Sequence, residues 1–408
     1  MELNRLENTR ILMYSHDTFG LGHLRRCRAI AHAIVEQFKG VSVLIISGSQ
    51  IAGAFNFRAR VDFVKIPSVI KLYNGEYDSI GEYIKIDEIL EMRKLIIQRT
   101  AEVFQPDIFV ADKEPMGLKG ELVPTLEMFK STKTQAVLGL RDVMDSPKLL
   151  QAEWEKSDMI NKINELYDRI WVYGPDSFWN PLQGFDLPDA MHDKMAYTGF
   201  LDREAFNMPD DEGPQLPENY ILATAGGGGD GVALMEQILA AREHDKSNDF
   251  PIVMVLGPFM KSDSRDRIRL RASGLGNITV LDFESHMEVL IRNASAIVGM
   301  CGYNTFCEAM SFDKRALFVP RTNPREEQLI RATRASEMGL CDVLLPEEAA
   351  IPSVLAEKLR QLPEIDEPSR HLRSGDMAGL EQICTEIALL SHIPKPEVVD
   401  EMTLMAGQ

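Results

Sequence analysis

Short apolar runs rich in β-branched residues recur along the first half of the chain, each bounded by turn-forming residues. Runs of this kind are typical of strands buried on both faces of a parallel sheet. Between several of them lie segments with the apolar spacing of a helix, such as residues 24–38 and 86–104. The alternation of strand and helix predicts a doubly wound α/β sheet. Its predicted strands are 11–14, 43–46, 61–66, 108–110, 136–140 and 170–172.

The alternation stops after residues 198–201 and resumes at residue 220. The intervening residues 208–219 are rich in Pro, Asp, Glu and Gly, a composition typical of an interdomain linker. We therefore predict an N-terminal domain (1–208), a linker (209–219), a C-terminal domain (220–393) and a flexible tail (394–408), with a cleft between the two sheets. The second series predicts strands at 220–224, 252–256, 278–281, 296–298, 316–319 and 343–345, and helices at 232–241, 287–293, 325–338 and 377–390.

Composition narrows the class of protein. Hydrophobic residues make up 45% of the 408 positions, which indicates a folded chain long enough for two domains. The formal net charge of −18 disfavours nucleic acid as a partner, because its phosphates would be repelled. The five cysteines are scattered without a CxxC pair, so neither a disulfide framework nor a zinc site is expected. Since no signal peptide or membrane span is recognisable, we expect a soluble, cytoplasmic protein.

Two glycine-rich turns each follow the first strand of a series and precede a helix. Glycine allows a ligand to approach the backbone closely, and a helix N-terminus offers unpaired N–H groups to negative charge. We expect the second turn to contact a phosphate; a flexible connection that tolerates glycine is the alternative. The first turn lacks the third glycine of the dinucleotide motif GxGxxG. The first turn contains Gly20 and Gly22, and the second contains Gly226, Gly227, Gly228 and Gly229.

A third turn follows the strand at 296–298 and opens the helix that carries Glu308. If Asn304 caps this helix, Glu308 lies one turn in, where a carboxylate can accept hydrogen bonds from both hydroxyls of a ribose. A lone glutamate on a helix is usually only a solvated side chain, so this expectation rests on its neighbours. We expect Glu308 and the 226–229 turn to line one common pocket. The third turn consists of Gly302, Tyr303, Asn304 and Thr305.

The segment 282–340 contains, in order, an aromatic residue, a run of small residues, the third turn and a loop with proline and arginine. This pattern resembles the donor-binding half of GT-B glycosyltransferases. It is most similar to the family of the peptidoglycan lipid-intermediate N-acetylglucosaminyl transferase and to bacterial predicted glycosyltransferases. The resemblance implies the GT-B fold, in which two Rossmann-like doubly wound α/β domains face a central cleft. The residues that carry it are Phe283, Met287, Gly302, Tyr303, Asn304, Thr305, Glu308, Arg321, Pro324, Arg325, Gln328 and Ala332.

The resemblance also implies a sugar-nucleotide donor, with UDP as the expected nucleotide, and no other cofactor. Glu308 would bind the ribose hydroxyls, Gln328 would contact the donor sugar, and backbone near Phe283 and Glu284 would face the base. The 226–229 and 302–305 turns would hold the diphosphate. Residues 323–326 depart from the pattern of the lipid-intermediate enzyme, which implies a different acceptor: a glycan, a lipid-linked molecule or a small molecule. Gly20, Gly22, Met287, Arg321 and Arg325 complete the expected donor site.

Single-displacement transfer requires a base for the acceptor hydroxyl and stabilisation of the leaving diphosphate. The chain contains no Asp-x-Asp triplet, so we expect helix N-termini and arginines to take the place of a metal. For the base we favour His23, a histidine at a ligand-facing helix start, with His16 and Asp17 of the same loop in reserve. The alternative for His23 is a backbone or phosphate contact without proton transfer. His32, within an apolar helix pattern, is expected in the core.

Charged residues also follow two further strands of the first series. Asp112 follows the strand at 108–110, and Arg141 and Asp142 follow the strand at 136–140. Because the carboxyl ends of parallel strands line the cleft, these residues are acceptor-side candidates, with ordinary loop salt bridges as the alternative. For Arg321 and Arg325 the alternative to phosphate binding is pairing with Glu326 or Glu327.

The expected activity is metal-independent transfer of a hexose, with inversion, to an acceptor hydroxyl. Three other functions remain open at this point. A sugar-nucleotide hydrolase would use water in place of the acceptor, and a 2-epimerase would need several acidic residues and histidines around the sugar. A non-catalytic subunit would only bind the sugar nucleotide.

Overall fold

The computed structural model describes residues 5–16, 22–71, 77–79, 84–204 and 215–392. Within these residues the N-terminal lobe contains one parallel sheet and a small antiparallel hairpin. The sheet has the strand order β3-β2-β1-β6-β7-β8-β9, and β4 and β5 form the hairpin. The strands are β1 (Arg5–Ser15), β2 (Lys39–Ser47), β3 (Val61–Lys65), β4 (Val69–Lys71), β5 (Tyr77–Ser79), β6 (Ile108–Asp112), β7 (Gln135–Arg141), β8 (Arg169–Tyr173) and β9 (Met195–Tyr197).

The C-terminal lobe is built around a second parallel sheet, in the order β12-β11-β10-β13-β14-β15 among the described residues. Its strands are β10 (Ile221–Thr224), β11 (Ile252–Val255), β12 (Ile278–Leu281), β13 (Ala296–Gly299), β14 (Arg315–Phe318) and β15 (Asp342–Val343). In both sheets the chain first winds outward in one direction and then crosses back beside the first strand. This order makes each sheet doubly wound and Rossmann-like, the fold class that the sequence predicted.

Helices pack on the sheets and connect consecutive strands. They are α1 (Gly22–Gln37), α2 (Ile86–Phe104), α3 (Val123–Phe129), α4 (Pro147–Trp154), α5 (Met159–Leu166), α6 (Asp189–Lys194), α7 (Val232–His244), α8 (Ser262–Ser273), α9 (Met287–Asn293), α10 (Tyr303–Ser311), α11 (Glu327–Glu337), α12 (Pro346–Ala349), α13 (Pro352–Gln361) and α14 (Gly379–Ser391). Among these helices, none combines the length and the apolar character needed to span a bilayer.

Every predicted strand and helix exists, with boundaries that shift by a few residues. The prediction missed the β4–β5 hairpin, β9 and several helices. Helix α8 illustrates why: its sequence SDSRDRIRLRAS buries only Ile268 and Ala272, so it carries almost no apolar stripe. His32 is buried beside the ring of Phe57, as expected for a core residue.

The strand order decides where a ligand can bind. In each sheet the switch point lies between the first strand and the strand at which the direction reverses, β1 beside β6 and β10 beside β13. Ligands of doubly wound sheets bind at the carboxyl ends of the strands at this point. The turns after β1, β10 and β13, together with Asp112 at the end of β6, are therefore brought to the two switch points.

The lobes are joined by an apolar and ionic contact. The rings of Phe178 and Phe200 lie within 5.8 Å of the ring of Phe306 in the C-terminal lobe. Arg331 and Asp142, both with no exposed surface, form a two-pronged ion pair between the lobes at 2.7 and 2.6 Å. Helix α14, which the sequence placed in the C-terminal domain, packs against α1, β1 and β6 of the N-terminal lobe. The predicted domain limits stay predictions, and the tail 394–408 lies outside the described residues.

Candidate active site

A cavity of about 260 Å³ lies between the carboxyl ends of the two sheets. Both lobes contribute to its walls, which confirms the predicted cleft. The predicted site residues that line it are Gly22, His23, Arg141, Gly226, Gly227, Gly228, Gly229, Phe283, Glu284, Met287, Gly302, Tyr303, Asn304, Thr305, Arg321 and Gln328. Asp17 and Gly20, also predicted for this site, lie outside the described residues.

The 226–229 turn requires glycine for both conformation and space. Gly226 and Gly228 have positive φ angles of 59° and 91°. A Cβ atom on Gly228 would lie 2.5 Å from the carbonyl oxygen of Leu256, whereas one on Gly226 would meet nothing within 4 Å. Open space at Gly226 places bare backbone on the cavity wall, in the turn that leads to helix α7 at Val232. Backbone of this kind can bind an anion closely.

The third turn differs from its prediction in one respect. Gly302, not Asn304, is the N-cap of α10, so the capping role predicted for Asn304 is wrong. The Asn304 side chain instead joins the lobes: its amide donates to the carbonyl oxygen of Gly22 at 3.0 Å, and its oxygen accepts from Arg203 at 2.7 Å. With its side chain committed to these two contacts, Asn304 cannot cap its own helix. The α10 N-terminus still faces the cavity, as predicted.

His23 lies in the first turn of α1 and is held by Asp112 at the end of β6. The His23 Nδ1 and Asp112 Oδ2 atoms are 2.6 Å apart, and 17% of the His23 side chain is exposed. Asp112 also accepts from the guanidinium of Arg26, with its Oδ1 atom 2.7 Å from Nε. Burial alone would raise the pKa of Asp112, but Arg26 and His23 reverse this and hold its pKa below the ordinary value. Asp112 is therefore ionised at neutral pH.

This pairing fixes the chemical state of His23. An ionised carboxylate can only accept, so His23 donates from Nδ1 and presents an unprotonated Nε2. Burial lowers the pKa of His23 to about 4, against the opposing effect of Asp112. The imidazole is neutral at pH 7 and can accept a proton. When it does, Asp112 stabilises the resulting imidazolium.

His16, the reserve candidate for the base, is more deeply placed. It is 5% exposed, and burial lowers its pKa to about 3. Its Nδ1 lies 3.0 Å from the Tyr14 hydroxyl, which in turn donates to Glu121 at 2.6 Å. Arg93 donates to the same carboxylate at 2.7 Å. His16 thus belongs to a buried network behind His23, with 5.7 Å between the two ring centroids.

Glu308 does not line the cavity with the 226–229 turn, so the expectation of one common pocket is wrong. Glu308 is 4% exposed and lines a separate space of about 30 Å³. Arg25 of the N-terminal lobe, which lines both spaces, donates a hydrogen bond to the Glu308 carboxylate and covers it. Burial raises the pKa of Glu308, and Arg25 opposes that rise. The sequence could not predict a partner 283 positions away.

The acceptor-side predictions have different outcomes. Arg141 lines the cavity, but Asp142 is fully buried against Arg331 and cannot contact a ligand there. Asp112 is likewise fully buried and supports His23, rather than facing an acceptor. Neither carboxylate lines the cavity, and buried arginines pair with both of them.

The two arginines of the donor prediction are both ion-paired. Arg321 lines the cavity and donates to Asp230 and Glu327, and its backbone N–H donates to Gln328 at 3.0 Å. Arg325 is not part of the lining. It pairs with Asp145 and Glu153 of the N-terminal lobe, at 3.2 and 3.1 Å, and not with Glu326 or Glu327.

Several lining residues were not predicted. Arg25, Arg26 and Phe55 enter from the N-terminal lobe, and Asp230 and Met300 from the C-terminal lobe. A helical period would have placed Arg26 three positions after His23 on the same face of α1. The described residues include no group of three or more His, Cys, Asp or Glu side chains that could hold a metal ion.

Comparison with known proteins places this site in context. Residues 222–373 match the model of the glycosyltransferase family 28 C-terminal domain. An uncharacterized glycosyltransferase of Methanosarcina acetivorans is 23% identical over 369 residues, which cover 86% of this chain and 89% of that protein.

Solved structures show the same fold. CalG4, the calicheamicin glycosyltransferase, superposes with a TM-score of 0.60 at 15% identity, over 96% of this chain and 100% of that one. MurG of Acinetobacter baumannii superposes with a TM-score of 0.54 at 14% identity, over 93% of this chain and 99% of that one. The resemblance inferred from the sequence is confirmed. The chain is a glycosyltransferase of the GT-B fold, and its residues 222–373 match the glycosyltransferase family 28 C-terminal domain.

Proposed function

We propose that this enzyme transfers a hexose from a nucleoside diphosphate sugar to an acceptor hydroxyl, with His23 as the general base. The observation that carries the proposal is that His23, held by the buried Asp112, lines a cavity that the 226–229 turn of the other lobe also lines. A neutral imidazole held by a carboxylate is suited to removing a proton from an alcohol. Backbone at a helix start is suited to a leaving diphosphate.

The donor would lie along the C-terminal lobe. The diphosphate would contact the 226–229 turn and the start of α10, and the base would lie near Phe283 and Met287, two apolar residues of the lining. Glu308 is the proposed ribose ligand, and Arg25 must leave its carboxylate before a ribose can bind there. We propose UDP as the nucleotide. This choice rests on the resemblance stated above.

In the proposed reaction, the acceptor oxygen forms a bond to the anomeric carbon while the bond from that carbon to the diphosphate oxygen breaks. The acceptor proton passes to Nε2 of His23, and the bonding electrons leave with the nucleoside diphosphate. Attack from the face opposite the leaving group inverts the configuration. The α10 N-terminus and Arg321 would stabilise the growing phosphate charge, so we propose that no metal is required.

The acceptor remains a glycan, a lipid-linked molecule or a small molecule. We propose that the enzyme acts in the cytoplasm, a reducing compartment, because its five cysteine side chains are all buried within the fold as thiols.

The test begins with a thermal-shift panel of nucleoside diphosphates and their sugars, because a ligand of the native state raises its apparent stability. With the donor identified, His23→Gln should lower turnover by about 10²- to 10⁴-fold and leave donor affinity nearly unchanged. Glu308→Gln serves as the matched variant and should weaken donor binding by about tenfold, through a lost charged hydrogen bond. Unchanged turnover in His23→Gln would refute the assigned base.

Three further readouts separate this proposal from its rivals. Proton NMR should show an anomeric configuration in the product opposite to that of the donor. EDTA should leave turnover unchanged; loss that magnesium restores would refute metal independence. Release of free sugar at the full rate without any acceptor would identify a hydrolase instead.

A further inference from the structure

Four arginines line the cavity, and one of them differs from the others. Three have carboxylate partners: Arg25 has Glu308, Arg26 has Asp112, and Arg321 has Asp230 and Glu327. Arg141 has no carboxylate within ion-pair distance among the residues that the structure describes. Its Nε atom is buried and has no hydrogen-bond partner there either. A guanidinium in this position is available to a ligand.

The two carboxylates that attract the charge of Arg141, those of Glu327 and Asp142, are each paired with another arginine. Glu327 accepts from Arg321 at 2.7 Å, and Asp142 accepts from Arg331 at 2.7 and 2.6 Å. Burial lowers the pKa of Arg141 to about 10, which still leaves it protonated at neutral pH. Arg141 is partly buried, and a partly buried cation without a direct partner is unfavourable, so a bound anion would offset that cost.

The place of Arg141 in the fold indicates which substrate it meets. Asp112 at the end of β6 is in register with Gly139 of β7, and Arg141 follows two residues further along β7. Arg141 therefore projects about 7 Å beyond the level of Asp112, toward the cleft. It stands on the lobe that carries His23, whereas the 226–229 turn and α10 stand on the opposite lobe.

We propose that Arg141 binds an anionic group, a carboxylate or a phosphate, on the acceptor and thereby holds the acceptor hydroxyl at His23. The proposal rests on the proposed function, since it takes His23 as the base. The proposal is based on two observations. Arg141 lines the cavity from the N-terminal lobe, and it lacks the carboxylate partner that each of the other three arginines has. The planar fork of a guanidinium matches both carboxylate and phosphate.

The other charged groups around Arg141 are compatible with this role. Arg26 and Arg331 face it with positive charge, and both are held by aspartates. Lys113, whose positive charge also interacts with that of Arg141, is paired with Glu114 at 2.9 Å. An anion at Arg141 would therefore meet this positive charge as well as the guanidinium, whereas the negative charge of Glu327 is paired with Arg321.

The test uses the full-length protein saturated with the nucleoside diphosphate identified by thermal shift. Matched probes are titrated by calorimetry at constant ionic strength: glycerol against glycerol 3-phosphate, and glucose against glucose 6-phosphate and glucuronate. At least one anionic probe should bind the native enzyme about tenfold or more tighter than its neutral counterpart, as a charged hydrogen-bond pair provides. Arg141→Gln should abolish this difference, and Arg141→Lys should restore part of it.

Two controls test whether Arg141→Gln stays folded and whether its effect is specific to Arg141. Arg141→Gln removes a partly buried cation without a direct partner, so its urea midpoint should not fall below that of the native protein. Arg267→Gln, which alters a half-exposed surface pair, should leave all probe affinities unchanged.

Contrary outcomes overturn either this proposal or the proposed function on which it rests. Equal binding of anionic and neutral probes to the native enzyme, or an unchanged preference in Arg141→Gln, overturns the proposal. So does an Arg141→Gln variant that loses affinity for the nucleoside diphosphate as strongly as for the probes, because Arg141 would then serve the donor. If the native enzyme binds no nucleoside diphosphate at all, the proposed function fails first.

Discussion

Replacing Asp112 with asparagine tests the physical basis of the active site most directly. The carboxylate accepts from Nδ1 of His23 at 2.6 Å through one oxygen and from Nε of Arg26 at 2.7 Å through the other. An asparagine of the same shape has one acceptor oxygen and one NH₂ group. The NH₂ group either meets the Arg26 donor or donates to Nδ1 of His23, which then carries its proton on Nε2 and cannot act as the base. The variant therefore removes a charge and breaks one of the two contacts or forces the wrong tautomer.

The expected magnitudes follow from this geometry. Arg26 is 2% exposed, so its charge would stay buried without a partner, at a cost of about 3–5 kcal/mol in the free energy of unfolding. Loss of the group that orients His23 and stabilises its protonated form should lower turnover by about 10³-fold, which corresponds to about 4 kcal/mol in the barrier. Stability and catalysis thus depend on the same carboxylate.

Urea unfolding followed by tryptophan fluorescence measures the first effect, and release of nucleoside diphosphate at saturating donor measures the second. The double variant Arg26→Gln/Asp112→Asn separates them, because it removes the stranded charge as well. We expect the double variant to recover much of the lost stability but none of the lost turnover. Turnover of Asp112→Asn within about threefold of the native value would refute the assigned role of the pair, since that is under 1 kcal/mol in the barrier.

Two further changes test the donor turn and the buried histidines. Gly228→Ala should destabilise the fold by about 1–3 kcal/mol and weaken donor binding, because Gly228 has a positive φ and the new methyl group would clash with the Leu256 carbonyl oxygen. The control is Gly276→Ala, whose methyl group would meet nothing within 4 Å. Equal stability of the two variants in urea would contradict the reasoning. His16 and His23 titrate near pH 3 and 4 in the native protein but near 6.5 when unfolded, so the unfolded chain binds more protons between these values. The free energy of unfolding should therefore fall as pH is lowered from about 6.5 to 4. In His16→Gln this fall should be less steep, because one of the two histidines is gone. A urea midpoint that does not change with pH over this window would exclude the lowered pKa values.

The sequence alone determined the two lobes and the turns that face each other. Apolar runs such as 108–110 and 220–224 identify buried strands because a parallel sheet covered on both faces leaves no polar positions within them. Two turns, at 226–229 and 302–305, predicted where a ligand would approach the backbone. These signals are local in the chain, so they can be recognised without knowledge of tertiary contacts.

The contacts that define the chemistry were decided by the tertiary structure. Asp112 supports His23 because β6 lies beside β1, and Glu308 is covered by Arg25 because the lobes meet at that edge. Arg141 and Asp142 are adjacent in sequence, yet only Arg141 faces the cavity, because Arg331 of the other lobe holds Asp142. Such pairings join residues about 90 to 280 positions apart. They depend on strand order and lobe orientation, which no local pattern of residues encodes.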